Sequence, residues 1–366
     1  MRELRLMRAG RLAWHECEPP RIQDESDTIV RPFLAGRCDG DTLPLHRPVS
    51  RALQAGMALR LVDPVVGCIC GKVPFKGPVA IGHECVAQII AVGADVARVS
   101  VGQTVVVPWA VSCGTCARCR QGLTSKCERT SGGRELAAFG FGPASGPWGG
   151  MVADELRVPF ADHMLVPVPD GVPPERVAAA SDNLADAWRS IVPALAQRVG
   201  GRVLVLGGGA KSIGLYAAGL AALHGAQAVD YVDRDSARQA IAAELGARTP
   251  AEPEGRYDVV VEATSRAAGL RRALHALAPG GTCTAVGYYL ATGTRVPLMR
   301  MYATDVALRI GVSHARATLP ELLASVARTG FPAERVTTLS AAWDDAPAAY
   351  AARTTKVVLH REPLPA

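Results

Sequence analysis

The run CGTCARCRQGLTSKC at 113–127 places four thiols, Cys113, Cys116, Cys119 and Cys127, within fifteen residues. Two residues separate each of the first three cysteines, so a tight loop can turn their Sγ atoms inward. The longer step to Cys127 supplies a fourth corner. Such a tetrahedron suits Zn²⁺, held by thiolates at about 2.3 Å and needing no open position when the ion is structural. Two disulfides are the alternative for clustered thiols in an oxidising compartment. The opening MRELRLMRAGRL lacks the apolar core of a secretion signal, so a reducing, cytoplasmic setting and a zinc site are expected.

At 366 residues the chain has length for two domains, each with its own core. No apolar run approaches the roughly 20 residues that span a bilayer. The net charge of +6 comes from arginines scattered among acids, without the run of like charge that nucleic-acid binding calls for. The pattern changes near residue 175. Before it, short apolar runs cut by glycines, such as VAQIIAV at 86–92 and QTVVVPW at 103–109, read as irregular β structure. After it, strand and helix alternate. RVLVL (202–206), AVDYV (228–232), YDVVVEA, TCTAV and VALRIGV are separated by helical stretches that stop at Gly225 and Gly246 and by a helix from about Arg266 to Leu277 followed by an APGG turn. This alternation implies a parallel sheet covered on both faces. Thr318 and Glu321 around Pro320 predict a capping box for the helix LPELLASVARTG.

The turn after RVLVL reads GGGAKSIG. Gly207 and Gly209 let backbone approach a pyrophosphate, and Gly214 lets the next helix, from Ile213, pack closely on the strand. The G-x-G-x4-G spacing is two residues longer than the usual fingerprint, which predicts a bulge between Gly209 and Ser212. Asp233, at the end of the second strand, is placed to accept both ribose hydroxyls of NAD and to repel the 2′-phosphate of NADP. Arg234 beside it keeps NADP as a minority reading.

In the first half, Cys38 sits in AGRCDGDT and His83 with Glu84 in GHECVAQIIAVG. Together with the four-cysteine loop, WGGMVADELRVPFADHMLVPVPDGV, the glycine turn and TTKVVLH, these segments resemble the zinc-dependent medium-chain alcohol dehydrogenases over nearly the whole chain. The resemblance implies an α/β protein with a split, β-rich GroES-like catalytic domain (1–175 and 314–366) around a Rossmann NAD-binding domain (176–313). It implies two zinc ions, NAD, a small alcohol or carbonyl substrate, and a homodimer or homotetramer. It implies Cys38 and His83 as catalytic zinc ligands, and Glu84 as an acid able to approach the metal from behind. In AAASDNLADAW it implies Asp182 as the third ligand, as in formaldehyde-dehydrogenase-like branches. Asp41 would orient a ligand imidazole, and Arg238 would lie near the adenosine ribose. The implied reaction is hydride transfer between an alcohol carbon and nicotinamide.

Three positions depart from that pattern. Gly40 stands where a Ser or Thr relays the proton, Asp39 where Gly, His or Arg lies near the pyrophosphate, and Asp186 where a Thr touches the nicotinamide. Asp186 is read either as a proton acceptor or as a solvated helix acid. From Cys38 to His83 is 45 positions, a longer step than most of the family makes. The added segment predicts a helix from about Val49 to Leu61 with Arg47, Arg51 and Arg60 nearby, read either as a lid or as a subunit contact. Cys68 and Cys70 read as small core residues, and His46 as a loop histidine or a member of the proton path. A zinc-free quinone or enoyl reductase and a non-catalytic nucleotide-binding protein are the rival functions.

Overall fold

The computed structural model describes residues 1–46 and 49–365. It divides into two compact units: Met1–Asp182 with His314–Arg328 and Thr337–Ala366, and Asn183–Ser313 with Thr329–Val336. The first change of unit therefore falls at 182/183, against the expected 175/176.

The first unit opens with the hairpin β1 (Arg2–Arg8) and β2 (Arg11–Glu16), followed by β3 (Thr28–Gly36), β4 (Val79–Ala80), β5 (Glu84–Val92), β6 (Thr104–Val107), β7 (Leu156–Val158) and β8 (Val166–Pro167). β4 joins the hairpin in a three-stranded sheet. β3 and β5 pair antiparallel with Gly36 opposite Glu84, which sets Cys38 and His83 side by side just beyond the ends of their strands. Apolar residues of these strands, among them Val30, Ile89, Val105 and Val107, pack with Phe139 and Met151 into a dry core. The helix Val49–Ala58 in the added segment ends three residues earlier than expected, and Arg60 turns to φ +55°.

In the second unit β9 (Arg202–Leu206), β10 (Ala228–Val232), β11 (Tyr257–Glu262), β12 (Leu277–Ala285) and β13 (Ala307–Ile310) form one parallel sheet in the order β10-β9-β11-β12-β13. Continuous burial of Val203–Leu206 is what a strand covered on both faces requires. The helix after β9 begins at Lys211 with Ala210 as its N-cap, so Lys211 and Ser212 already belong to its first turn. The APGG segment falls within the limits of β12, where the ladder with β11 jumps from Leu277 to Thr282 and Gly280 turns to φ +71°.

The chain then completes the first unit with β14 (Leu339–Ala342) and β15 (Val357–His360), and β15 pairs with β3. The helix leading there begins at Ala315, upstream of the expected capping box. The Thr318 hydroxyl donates to the His314 carbonyl (3.4 Å), a bond inside the helix and not a cap. The His314 ring is held by the Ser125 hydroxyl (2.8 Å) and Arg316 bonds the His163 carbonyl, so tertiary contacts extend the helix through Pro320. Among the described residues no helix is long and apolar enough to cross a membrane.

Candidate metal centres and dinucleotide crevice

The Sγ atoms of Cys113, Cys116, Cys119 and Cys127 all lie within 4.8 Å of one another, and every described cysteine is free. Cys116 and Cys127 are 4.0 Å apart at sulfur, twice a disulfide bond of about 2 Å and close to the edge of about 3.8 Å of a tetrahedron with 2.3 Å metal–sulfur bonds. Burial works against a Cys113 thiolate, yet the Thr115 hydroxyl and the amides of Thr115 and Cys116 point at its sulfur and lower its pKa to about 6. Gly114, at φ +75°, makes this possible: a Cβ there would sit 2.6 Å from the His163 ring. The four sulfurs suit Zn²⁺ in kind, number and spacing.

A second cluster brings together Cys38 Sγ, a His83 ring nitrogen and an Asp182 oxygen, again within 4.8 Å of one another. His83 Nε2 is 3.5 Å from Asp182 and its Nδ1 is 3.5 Å from Asp41. Asp182 is positioned by its neighbour: the Ser181 hydroxyl accepts from the Cys85 amide (3.0 Å) and donates to the Cys85 carbonyl (3.1 Å), while the Ser181 carbonyl holds the Trp109 amide. Asp41 accepts from the Cys38 amide (3.3 Å). Phe141 stacks on His83 at 4.7 Å, with Trp109 edge-on behind it. Burial pushes the Cys38 thiol up to about 12, helped by Asp182. Burial also opposes charge on His83, but Asp41, Asp182 and Cys38 hold its pKa well above the usual imidazole range. Such a gathering of anionic donors around a buried imidazole is satisfied by a divalent cation that displaces the thiol proton, and three donors of different type leave a fourth position open.

In the second unit Leu206, Val232 and Glu262 end their strands in register. The glycine turn, Asp233 and the Ala263–Arg266 loop therefore share one edge of the sheet. Gly207, Gly209 and Gly214 line the start of the helix Lys211–Leu223; Ile213 is buried and Ser212 donates to Asn183 (2.9 Å). A crevice at the carboxyl ends of parallel strands, beside a helix N-terminus, suits a dinucleotide. Asp233 is already well partnered. Arg238 forks onto both its oxygens (2.7 Å each), the Tyr231 hydroxyl donates at 2.9 Å, and the amides of Arg234 and Asp235 add two more bonds. Burial opposes ionisation of Asp233, but the Arg238 contact outweighs it and holds the carboxyl below its ordinary range.

Residues 55–170 match the family described as alcohol dehydrogenase GroES-like domain, and residues 212–328 the family described as zinc-binding dehydrogenase. A Mycobacterium tuberculosis protein named a "probable zinc-binding alcohol dehydrogenase" is 34% identical over 77% of this chain and 73% of its own. The alcohol dehydrogenase from Thermus sp. ATN1 superposes with a TM-score of 0.83 at 31% identity, covering 98% of this chain and 99% of that one. The chain belongs to the zinc-dependent medium-chain alcohol dehydrogenases. A Sinorhizobium meliloti dehydrogenase structure bound to NADP, at 22% identity, TM-score 0.73 and coverage of 98% and 99%, shares the fold.

Within this dehydrogenase other residues near these sites have partners of their own. Asp186 is ion-paired with Arg189, whose guanidinium also reaches the Gly311 carbonyl, so it is neither a solvated acid nor a free proton acceptor. Glu84 is ion-paired with Lys356, both fully buried. Thr42 donates to the Asp39 carbonyl (2.7 Å) across Gly40, and His46 Nε2 bonds the Ala351 carbonyl (2.8 Å). Arg47 lies outside the described residues; Arg51 and Arg60 are exposed. Cys70 is buried with its thiol on the Val66 carbonyl (3.3 Å), and Cys68 is half-buried. The Ser145 hydroxyl donates to the Cys68 carbonyl (3.1 Å), tying the added segment to the turn that follows Phe141.

Sequence reasoning missed Lys356, Arg37, Phe141 and Ser181. Arg37 is buried beside Cys38 and donates to the carbonyls of Tyr350, Ala352 and Thr354. The signal available for Arg37 and Lys356 was a lone cation in or beside an apolar strand, which demands a buried partner.

Proposed function

We propose that this protein is an NAD-linked cytoplasmic dehydrogenase that interconverts a primary or secondary alcohol with its aldehyde or ketone. The observation that carries the reading is the convergence of Cys38, His83 and Asp182, which we assign as the catalytic zinc ligands; Cys113, Cys116, Cys119 and Cys127 are assigned to a structural zinc. When bound, zinc supplies Lewis acidity to a substrate oxygen and the nicotinamide accepts or returns a hydride. The chain's own residues position and shield. Asp41 faces Nδ1 of His83 and Phe141 holds the plane of its ring, Ser181 fixes Asp182, and Lys356 balances the charge of Glu84. Gly40 offers no hydroxyl for proton transfer, so the proton leaves by a path that does not use this position.

The preference for NAD is read from Asp233, whose carboxylate would meet a 2′-phosphate with like charge, tempered by its fork with Arg238. We further read the protein as a homodimer or homotetramer, which light scattering tests. Clustering of Cys38, His83 and Asp182 speaks against a zinc-free reductase, which has no use for such a set. The decisive experiment is a panel of alcohols and aldehydes followed by NADH and NADPH absorbance, with metal analysis of the same preparation. Turnover with two zinc ions per chain is expected; a two-zinc preparation inert across the panel would favour a non-catalytic nucleotide-binding role.

A further inference from the structure

The strand order β10-β9-β11 means that the chain leaves β9 for one side of the sheet and returns on the other, so the crevice between the ends of β9 and β11 is a topological switch point. Two loops border it, and backbone bonds stitch them together: Gly209 N to the Thr264 carbonyl (3.3 Å) and Ala210 N to the Ala263 carbonyl (2.9 Å). The second loop contains an unusual residue. Ser265 has φ +58°, the left-handed region that glycine enters freely and that costs any side chain energy. Thr264 holds the turn by donating its amide (2.9 Å) and its hydroxyl to the buried Glu262, while Arg266 N bonds Thr264 Oγ1 (3.2 Å).

The Ser265 hydroxyl stands between two residues without side chains. A Cβ on Gly209 would lie 2.8 Å from Ser265 Oγ, and one on Gly287, after β12, would overlap it. Glycine at 265 would relieve the backbone, and strain kept at the mouth of a ligand crevice points to a use for the side chain. Asp233 follows β10, on the other side of β9 from this loop. The adenosine end of a dinucleotide thus belongs with Asp233, and Ser265 faces what continues past the pyrophosphate.

We propose that the Ser265 hydroxyl is a specificity-determining contact for the ribose-phosphate half of the dinucleotide that does not carry adenine. This rests on the dinucleotide reading of the second unit. The test titrates the zinc-loaded protein by calorimetry with NADH, NADPH, ADP-ribose and AMP, comparing wild type with Ser265→Gly and Ser265→Ala. Loss of one hydrogen bond to the ligand should raise Kd for NADH and ADP-ribose about three- to tenfold in both variants, with AMP unchanged. Ser265→Gly should also melt at the same or a higher temperature than wild type, because glycine fits this backbone. NADH affinity unchanged in both variants, or AMP weakened as much as NADH, overturns the proposal. Failure of the wild type to bind either NADH or NADPH would instead overturn the dinucleotide reading itself, and this contact with it.

Discussion

Arg238→Ala tests stability and cofactor choice through a single side chain. Arg238 is N3 of the helix Ser236–Glu244, whose N-cap Asp235 accepts the Arg238 amide at 3.1 Å, and from there its guanidinium reaches back to Asp233. The Asp233 side chain is 3% exposed and that of Arg238 12%, so the two 2.7 Å bonds between them are screened little by solvent. Truncation leaves the carboxylate with Tyr231 and two amides. It is therefore not orphaned, and the cost should be that of a charged hydrogen-bonded contact, about 2–3 kcal/mol, below the figure for a fully abandoned buried charge. In a unit of this size one kcal/mol moves Tm by about 4 °C, which gives a loss of about 8–12 °C. The pH dependence has a definite sign. The folded-state pKa of Asp233 lies below its ordinary 3.8, so its stabilisation is fully present above that value and is lost as pH falls through the folded pKa; the gap between wild type and variant should shrink in strong acid. With the neutralising cation gone, a 2′-phosphate meets an uncompensated carboxylate, and NADPH should lose about tenfold more affinity than NADH. Melting curves at pH 7 and near pH 3, with cofactor titration by fluorescence, decide the matter. A variant that melts like wild type, or that gains affinity for NADPH relative to NADH, refutes the reasoning.

Metal analysis should find two zinc ions per chain; Cys116→Ser should lose one together with stability, and Cys38→Ser should lose the other and all turnover with the fold kept, so a well-folded active preparation with one metal would contradict the assignment. Lys356→Met, which removes the cation paired with the buried Glu84, should lower stability in chemical denaturation, and a loss under about 1 kcal/mol would show that the pair contributes little. Triple replacement of Arg47, Arg51 and Arg60 by Ala should spare zinc content and NADH affinity but lower kcat/KM for a substrate carrying a carboxylate or phosphate; unchanged kinetics on every substrate would assign the added segment to subunit contact.

What could be read along the chain was what is local in it. The four-cysteine loop spans fifteen residues, so its spacing alone implies a tetrahedral thiolate site, and the parallel sheet announces itself because strands covered on both faces are continuous apolar runs. Cys38, His83 and Asp182 were named through family resemblance, since nothing in their spacing joins them. They meet because β3 and β5 pair with Gly36 opposite Glu84 and because Ser181 is clamped on β5. Tertiary structure alone decided the rest. Lys356 finds Glu84 across 272 positions, and Arg37 turns into a ring of carbonyls more than 300 residues away, because a buried cation takes whatever partner packing brings within reach. Helix limits moved for the same reason: contacts of His314 and Arg316 start a helix ahead of Pro320, where local capping rules would begin it later. Charge at Asp233 was legible from its place after β10; its neutralisation by Arg238 was not, because only the fold of the helix N-terminus turns that guanidinium back onto the strand.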